Sequence, residues 1–176
     1  MAIDNHDLLV ERAKSWLRKK GCGVVLGEPF RARTTSRETP DAIGWFSDST
    51  CLLVECKVSR SDFFADSRKK FRTDPRLGVG QWRFYLCPSD VLQAEDMPEG
   101  WGLLWATARS VKEVHNIPGN CYWRTAPPFT SNRTTEAEIL TQAMRRMVIR
   151  GHLGDVYDGL GQNSFGVHNG GANGSL

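Results

Sequence analysis

The sequence lacks most of the features that mark common chemistries. Its five cysteines (Cys22, Cys51, Cys56, Cys87 and Cys121) are odd in number and scattered, with no CxxC pair, so a zinc ribbon is disfavoured. No two of the histidines His6, His115, His152 and His168 have ligand spacing, which argues against zinc hydrolysis. There is no GxSxG, and the glycines of GVG and GLG form neither a phosphate loop nor a dinucleotide fingerprint. No apolar run approaches the roughly 18–20 residues of a membrane span. The opening MAIDNHDLLVERAKS carries charges where the apolar part of a signal peptide would lie. Charge of one sign is not in great excess either. The 23 Lys and Arg against 20 Asp and Glu give +3 and a pI near 8.7, which permits a nucleic-acid partner without demanding one. These absences lead us to expect a soluble, reduced, cytoplasmic protein.

What is present is an ordinary globular composition, 40% hydrophobic and 24% charged over 176 residues, enough for one domain with a proper core. From about Asn5 to Lys20 the spacing predicts a helix with Leu8, Leu9, Ala13, Trp16 and Leu17 on one face, closed by RKKG. GVVLGEPFRAR, DAIGWF and CLLVECKV read as three strands, with SDST a turn between the last two. SRSDFFADSRKKF switches to helical spacing, with Ser59 or Ser61 as N-cap and Phe63, Phe64 and Phe71 facing a core. RFYLC and GLLWA follow as strands, SVKEVHNI as an edge strand, and TTEAEILTQAMRRMVIRG as an amphipathic helix. The tail from about Gly159 is rich in Gly, Asn and Ser and is expected to be disordered. We therefore expect an α/β core over residues 1–125, a helical extension over 126–158 and a tail over 159–176.

The stretch TPDAIGWFSDSTCLLVECK concentrates the chemistry. Asp41 opens one strand and Glu55 lies on the next. Neighbouring strands are about 4.8 Å apart, so the two carboxylates can share a cation if register permits. Alternation puts Glu55 and Lys57 on one face, with Cys56 pointing away. Two acids and a lysine on a common face are costly as an unpaired core. A hard divalent ion resolves this, since Mg²⁺ takes one or two carboxylates together with water and phosphate oxygens. The alternative is a solvated edge strand carrying an ordinary Glu–Lys pair.

Pro40–Asp41 followed by Glu55-Cys56-Lys57 resembles the signature of the PD-(D/E)XK nuclease superfamily, and the expected element order is similar to its restriction-endonuclease-like αβββαβ core. VECKVSRSDFFADSRKKFR, with RFYLCPSD and MPEGWGLLWA after it, is similar to MmcB-like DNA-repair proteins and their phage relatives, over roughly residues 8–108. The resemblance implies a Mg²⁺ (or Mn²⁺) ion held by Asp41 and Glu55, with the backbone carbonyl of Cys56 completing the shell and Lys57 assisting the nucleophilic water. It also implies a first-helix carboxylate, for which Glu11 is the candidate and Glu38 an alternative nearer the motif. The setting would be bacterial or phage-infected cytoplasm, in repair, recombination or phage DNA processing.

Arg60, Arg68, Lys69, Lys70 and Arg72, with Arg76 beyond, form a basic cluster that would grip the DNA backbone, Lys69 doubling as a second site lysine. A mixed, solvated helix face is the competing reading. Gln81 would reach a phosphate or water, or else is a polar residue at a strand edge, and Trp82 and Trp101 would stack on bases, whereas Trp16, Trp45 and Trp105 belong to the core. Arg145, Arg146 and Arg150 suit either a basic outer face or a homodimer contact. The function expected is hydrolysis of DNA phosphodiesters in duplex, branched or single-stranded form, without a membrane partner. The rivals are a catalytically silent nucleic-acid-binding module and a phage-encoded protein that binds a host partner.

Overall fold

A computed structural model describes residues 5–119 and 122–157. The expected tail and Cys121 lie outside the described residues. Helix α1 (His6–Lys19) starts where the Asn5 side chain accepts the N–H of Asp7, and it buries Leu9, Val10, Ala13, Trp16 and Leu17. Leu8 is 42% exposed, so Val10 takes the place on the apolar face that the spacing had assigned to it.

Strands β1 (Val24–Gly27), β2 (Ala42–Trp45), β3 (Cys51–Cys56), β4 (Trp82–Pro88), β5 (Trp101–Ala106) and β6 (Val111–His115) form one six-stranded sheet in sequence order. β3–β4 and β4–β5 are parallel; the other pairs are antiparallel. β1 is shorter than GVVLGEPFRAR suggests, because Pro29 has no N–H to extend the ladder. The parallel step from β3 to β4 is bridged by α2 (Arg60–Ser67), capped by Ser59, and a short α3 (Lys70–Thr73). α4 (Arg133–Ile149) follows the sheet. This is a mixed α/β fold, as the sequence led us to expect.

Alternation along β3 divides the core. Leu52, Val54 and Cys56 join Ala42, Phe84, Leu86 and Leu104 against α1, and Trp16, Phe46, Trp82 and Phe84 make tilted or edge-on ring contacts with Trp123 or with one another. The opposite face carries Glu55, Arg83 and Tyr85. Trp82 and Trp101 are each 5% exposed, which assigns them to the core and withdraws them from stacking on bases. Trp82 Nε1 donates to the Trp123 carbonyl at 2.8 Å.

The loop into β4 is held from several sides. Arg83, 1% exposed, donates to the carbonyls of Pro75, Gly78 and Gly80. Glu38 accepts the Val79 N–H at 2.7 Å, Glu136 accepts that of Gly80 at 3.1 Å, and Gln81 N–H donates to the Cys51 carbonyl at 2.9 Å. Gly80 has φ +83°, and a Cβ there would stand 2.7 Å from Leu53 Cβ, so only glycine fits.

Two compact units are distinguished, one running to Ile139 and one from Leu140. In the first, Asn132 N–H donates to the Gly78 carbonyl and Glu138 accepts the Thr35 N–H. The second holds the later turns of α4 and a 3-10 turn over Leu153–Tyr157, with Ile149 and Tyr157 exposed. No helix among the described residues is long and apolar enough to cross a membrane.

Gly102 pairs with Phe84, and a Cβ there would lie 2.3 Å from the Phe84 ring and 3.1 Å from the His115 carbonyl. Phe84 is fully buried and has no space to yield. Gly102→Ala should therefore destabilise the fold by about 1–3 kcal/mol, read as a lower midpoint in urea unfolding.

Candidate active site

The register Ala42↔Val54 brings Asp41, one residue before β2, and Glu55, one residue further along β3, to the same end of the sheet. Asp41 Oδ2 accepts the N–H of Cys56 at 2.8 Å, so this carboxylate finishes a strand end that β2 leaves open. Lys57 Nζ lies 3.3 Å from Glu55 Oε2, on the same face, and both side chains are buried. The Cys56 thiol points into the α1 core, where burial holds its pKa well above the usual thiol range.

Around Glu55 the structure assembles a buried charge network. Arg72 donates through Nε to Asp66 Oδ2 at 2.9 Å and through Nη1 to Glu38 Oε1. Its Nη2 stands 2.8 Å from Glu55 Oε1, meeting it by charge without the angle of a hydrogen bond. Asp66 also faces Lys57 at 3.5 Å and Lys69 at 2.7 Å, and it accepts the Tyr85 hydroxyl at 3.0 Å. The guanidinium is flanked by rings, 4.8 Å from the Phe71 centroid and 5.0 Å from that of Trp101. Trp101 stacks in turn on Tyr85 at 4.4 Å. Three acids thus face three cations, the balance a buried network requires.

The titration behaviour follows from this arrangement. Burial works against the Lys57 ammonium, but Glu55, Asp66 and Asp41 outweigh it and keep the group charged. Burial pushes the Asp66 carboxyl up, yet Arg72 and Lys57 more than offset that and hold it below the usual range. Glu38 is pushed up, chiefly by burial, with Arg72 opposing. Asp41 lies outside the balanced set. Burial first, and then the charge of Glu55, raise its carboxyl to about 7, against the pull of Lys57, the Cys56 N–H and His6.

On its other side Asp41 meets two residues the sequence did not point to. His6 Nε2 lies 3.6 Å from Asp41 Oδ1 and 3.3 Å from Glu28 Oε2, and one ligand atom from each of the three falls within 4.8 Å of the others. An imidazole with two carboxylates is a donor set that suits a divalent cation. Asp41, the acid of the strand end with too little positive charge around it, is the member that most needs one.

The remaining expected residues fall as follows. Glu11 does not join either cluster: its side chain is 64% exposed and paired with Lys14. The α1 side chain that does reach Asp41 is His6, from the first turn. Glu38, the nearer alternative, is buried in the network. Arg72 is withdrawn from phosphate contact, with 4% of its side chain exposed and three carboxylates around it. Lys69 joins the network's rim through Asp66, half-exposed. Arg60 is held by both oxygens of Asp96. Arg68 and Lys70 are exposed and form no ion pair among the described residues. Gln81 is half-buried and caps β3, its Oε1 accepting the Cys51 N–H at 3.2 Å. The four described cysteines are buried free thiols.

Two tests follow from these placements. Arg72→Met leaves three buried carboxylates short of their shared counter-ion, so it should lower stability by about 3–5 kcal/mol in urea unfolding at neutral pH. A surface contact to phosphate would cost almost nothing there. Asp41 has its folded pKa raised above the unfolded value of about 3.9, so its contribution is complete below pH ~4 and is lost as pH rises towards about 7. In EDTA, Asp41→Asn should abolish that part of the decline in melting temperature. A decline identical in wild type and variant would show that Asp41 is not its source.

No family model matches the chain, and no curated protein does. Among solved structures it is similar to the SPO1766 protein of unknown function from Silicibacter pomeroyi, at 25% identity over 90% of this chain and 94% of that one, with a TM-score of 0.53. The likeness extends over both units and carries no activity with it.

Proposed function

We propose that this protein is a divalent-cation-dependent nuclease that hydrolyses DNA phosphodiester bonds. The observation that carries the reading is the pairing, at one strand end, of an under-neutralised Asp41 carboxylate with a buried, charged Lys57 ammonium set against Glu55. The resemblance of Asp41, Glu55, Cys56 and Lys57 to the PD-(D/E)XK signature supports it independently.

Asp41 would hold Mg²⁺ or Mn²⁺ together with Glu55 and the Cys56 carbonyl, or together with His6 and Glu28. Such a cation, when bound, neutralises phosphate charge and makes a coordinated water more acidic. Lys57 supplies a fixed donor for the attacking water or for the negative charge that develops on the phosphate. Its tether to Glu55 and Asp66 holds the ammonium in place before substrate arrives. Arg68 and Lys70 provide exposed positive charge along the same connection, suited to backbone phosphates.

A second reading, the silent nucleic-acid-binding module, is favoured by one feature. Glu55 and Lys57 already face counter-charges within the protein, so they are stable without any ligand.

The deciding experiment is cleavage of labelled single-stranded, duplex and branched DNA with Mg²⁺ or Mn²⁺ against EDTA. Metal-dependent cutting should fall by roughly a hundredfold or more in Asp41→Asn and in Lys57→Ala, with circular dichroism checking that each variant is folded. DNA bound but never cut would leave the silent module, and no DNA affinity at all would leave a protein partner.

A further inference from the structure

Beside the charge network lies a cavity of about 510 Å³, bounded by the loop before β2, by α3 and its following turn, and by the start of α4. This is within the roughly 300–1,000 Å³ of small-ligand sites. Its lining combines two cations, Arg37 and Lys70, one aromatic ring, Phe71, and the hydroxyls of Ser36 and Thr134; no lining residue is acidic, and Glu138 accepts the N–H and hydroxyl of Thr35 on the wall. Neither Arg37 nor Lys70 forms an ion pair among the described residues, although the charge of Lys70 is felt at Asp74.

The position is equally specific. Arg37 precedes Glu38 and Phe71 precedes Arg72, so two walls of the cavity continue directly into the buried network beside Glu55. Phe71 is half-buried, with the Arg72 guanidinium 4.8 Å and the Lys69 ammonium 5.8 Å from its centre.

We propose that this cavity takes one unpaired nucleotide of a DNA strand. The base stacks on Phe71, and Arg37 and Lys70 hold its phosphate. The proposal rests on the reading of the neighbouring site as one that acts on DNA, and it narrows the substrate. A base inside a duplex has both faces occupied by its neighbours, so stacking on a side chain selects single strands, flaps or frayed ends.

The test is fluorescence anisotropy in EDTA, where no cutting occurs, with a short labelled oligothymidylate and the same strand annealed to its complement. Wild type should bind the single strand more tightly. Phe71→Leu should weaken single-strand binding by roughly tenfold and leave duplex binding nearly unchanged. Arg37→Gly is a clean charge deletion, because Arg37 has φ +61° and glycine adopts that backbone without strain. Combined with Lys70→Gln it should weaken binding by a further tenfold or so and flatten the salt dependence. Binding unaltered in these variants, or equal affinity of wild type for duplex and single strand, overturns the proposal. Failure of the nuclease reading is distinguishable: Phe71-dependent single-strand binding with no metal-dependent cutting keeps the nucleotide site and removes the catalysis.

Discussion

Arg72 stands with three carboxylates around its guanidinium and aromatic rings beside it, almost out of reach of water. Each buried acid carries a desolvation cost of several kcal/mol, which no hydrogen bond to a neutral group would repay. Glu38, Glu55 and Asp66 reach the network from three different segments, and one fork of donors joins all of them. The pair energies are weak evidence for stability, because a hydrophobic replacement of a whole buried ionic set is often as stable. What the fork secures is position. Glu55 is fixed by Arg72 on one oxygen and Lys57 on the other, and Lys57 is fixed by Glu55 and Asp66.

Asp41 is the member of this neighbourhood that the fork does not reach. Its carboxylate is anchored by the Cys56 N–H and faces His6 and Glu28. The electrostatic contrast between a balanced set on one side of the strand end and an unbalanced acid on the other marks Asp41 as the carboxylate most in need of a cation. It is a difference of charge accounting and not of residue type, since both sets are made of ordinary Asp, Glu and basic side chains.

Much of this was legible in the sequence. Period-two alternation was enough to place Glu55 and Lys57 together and to send Cys56 the other way, and turn chemistry was enough to pair β2 with β3. The basic segment after the motif was legible only as basic. Ser59–Phe71 reads as one helix, yet the Ser67 hydroxyl donates to the Phe64 carbonyl, and Lys69 is extended with φ −67° and ψ 143°. The break starts a new short helix and turns Arg72 inward. Nothing in the local spacing separates it from Arg68, which stays in water. His6 and Glu28 were illegible for another reason. They are 22 residues apart and come together only when α1 lies along the sheet beside the end of β1. Glu11 looked the better first-helix acid because a carboxylate suits a hard cation, but its place on the helix sends it to solvent beside Lys14. Trp82 and Trp101 show the same limit, since an aromatic residue in a strand reads alike whether its face meets solvent or a second layer.

The loop from Pro75 to Gln81 has backbone groups matched to side chains and backbone from five other places: Glu38, Cys51, Arg83, Phe129, and the Asn132–Glu136 turn of α4. Most surface connections tolerate added residues because lengthening a loop costs little entropy. Here the length itself carries information. One residue more or fewer would shift every N–H and C=O past its assigned partner, and would bring a side chain to the position beside Leu53 that only Gly80 can occupy. The segment behaves as a measured spacer, so changes of length during divergence should collect elsewhere, in the outlying turns, and leave this interval constant.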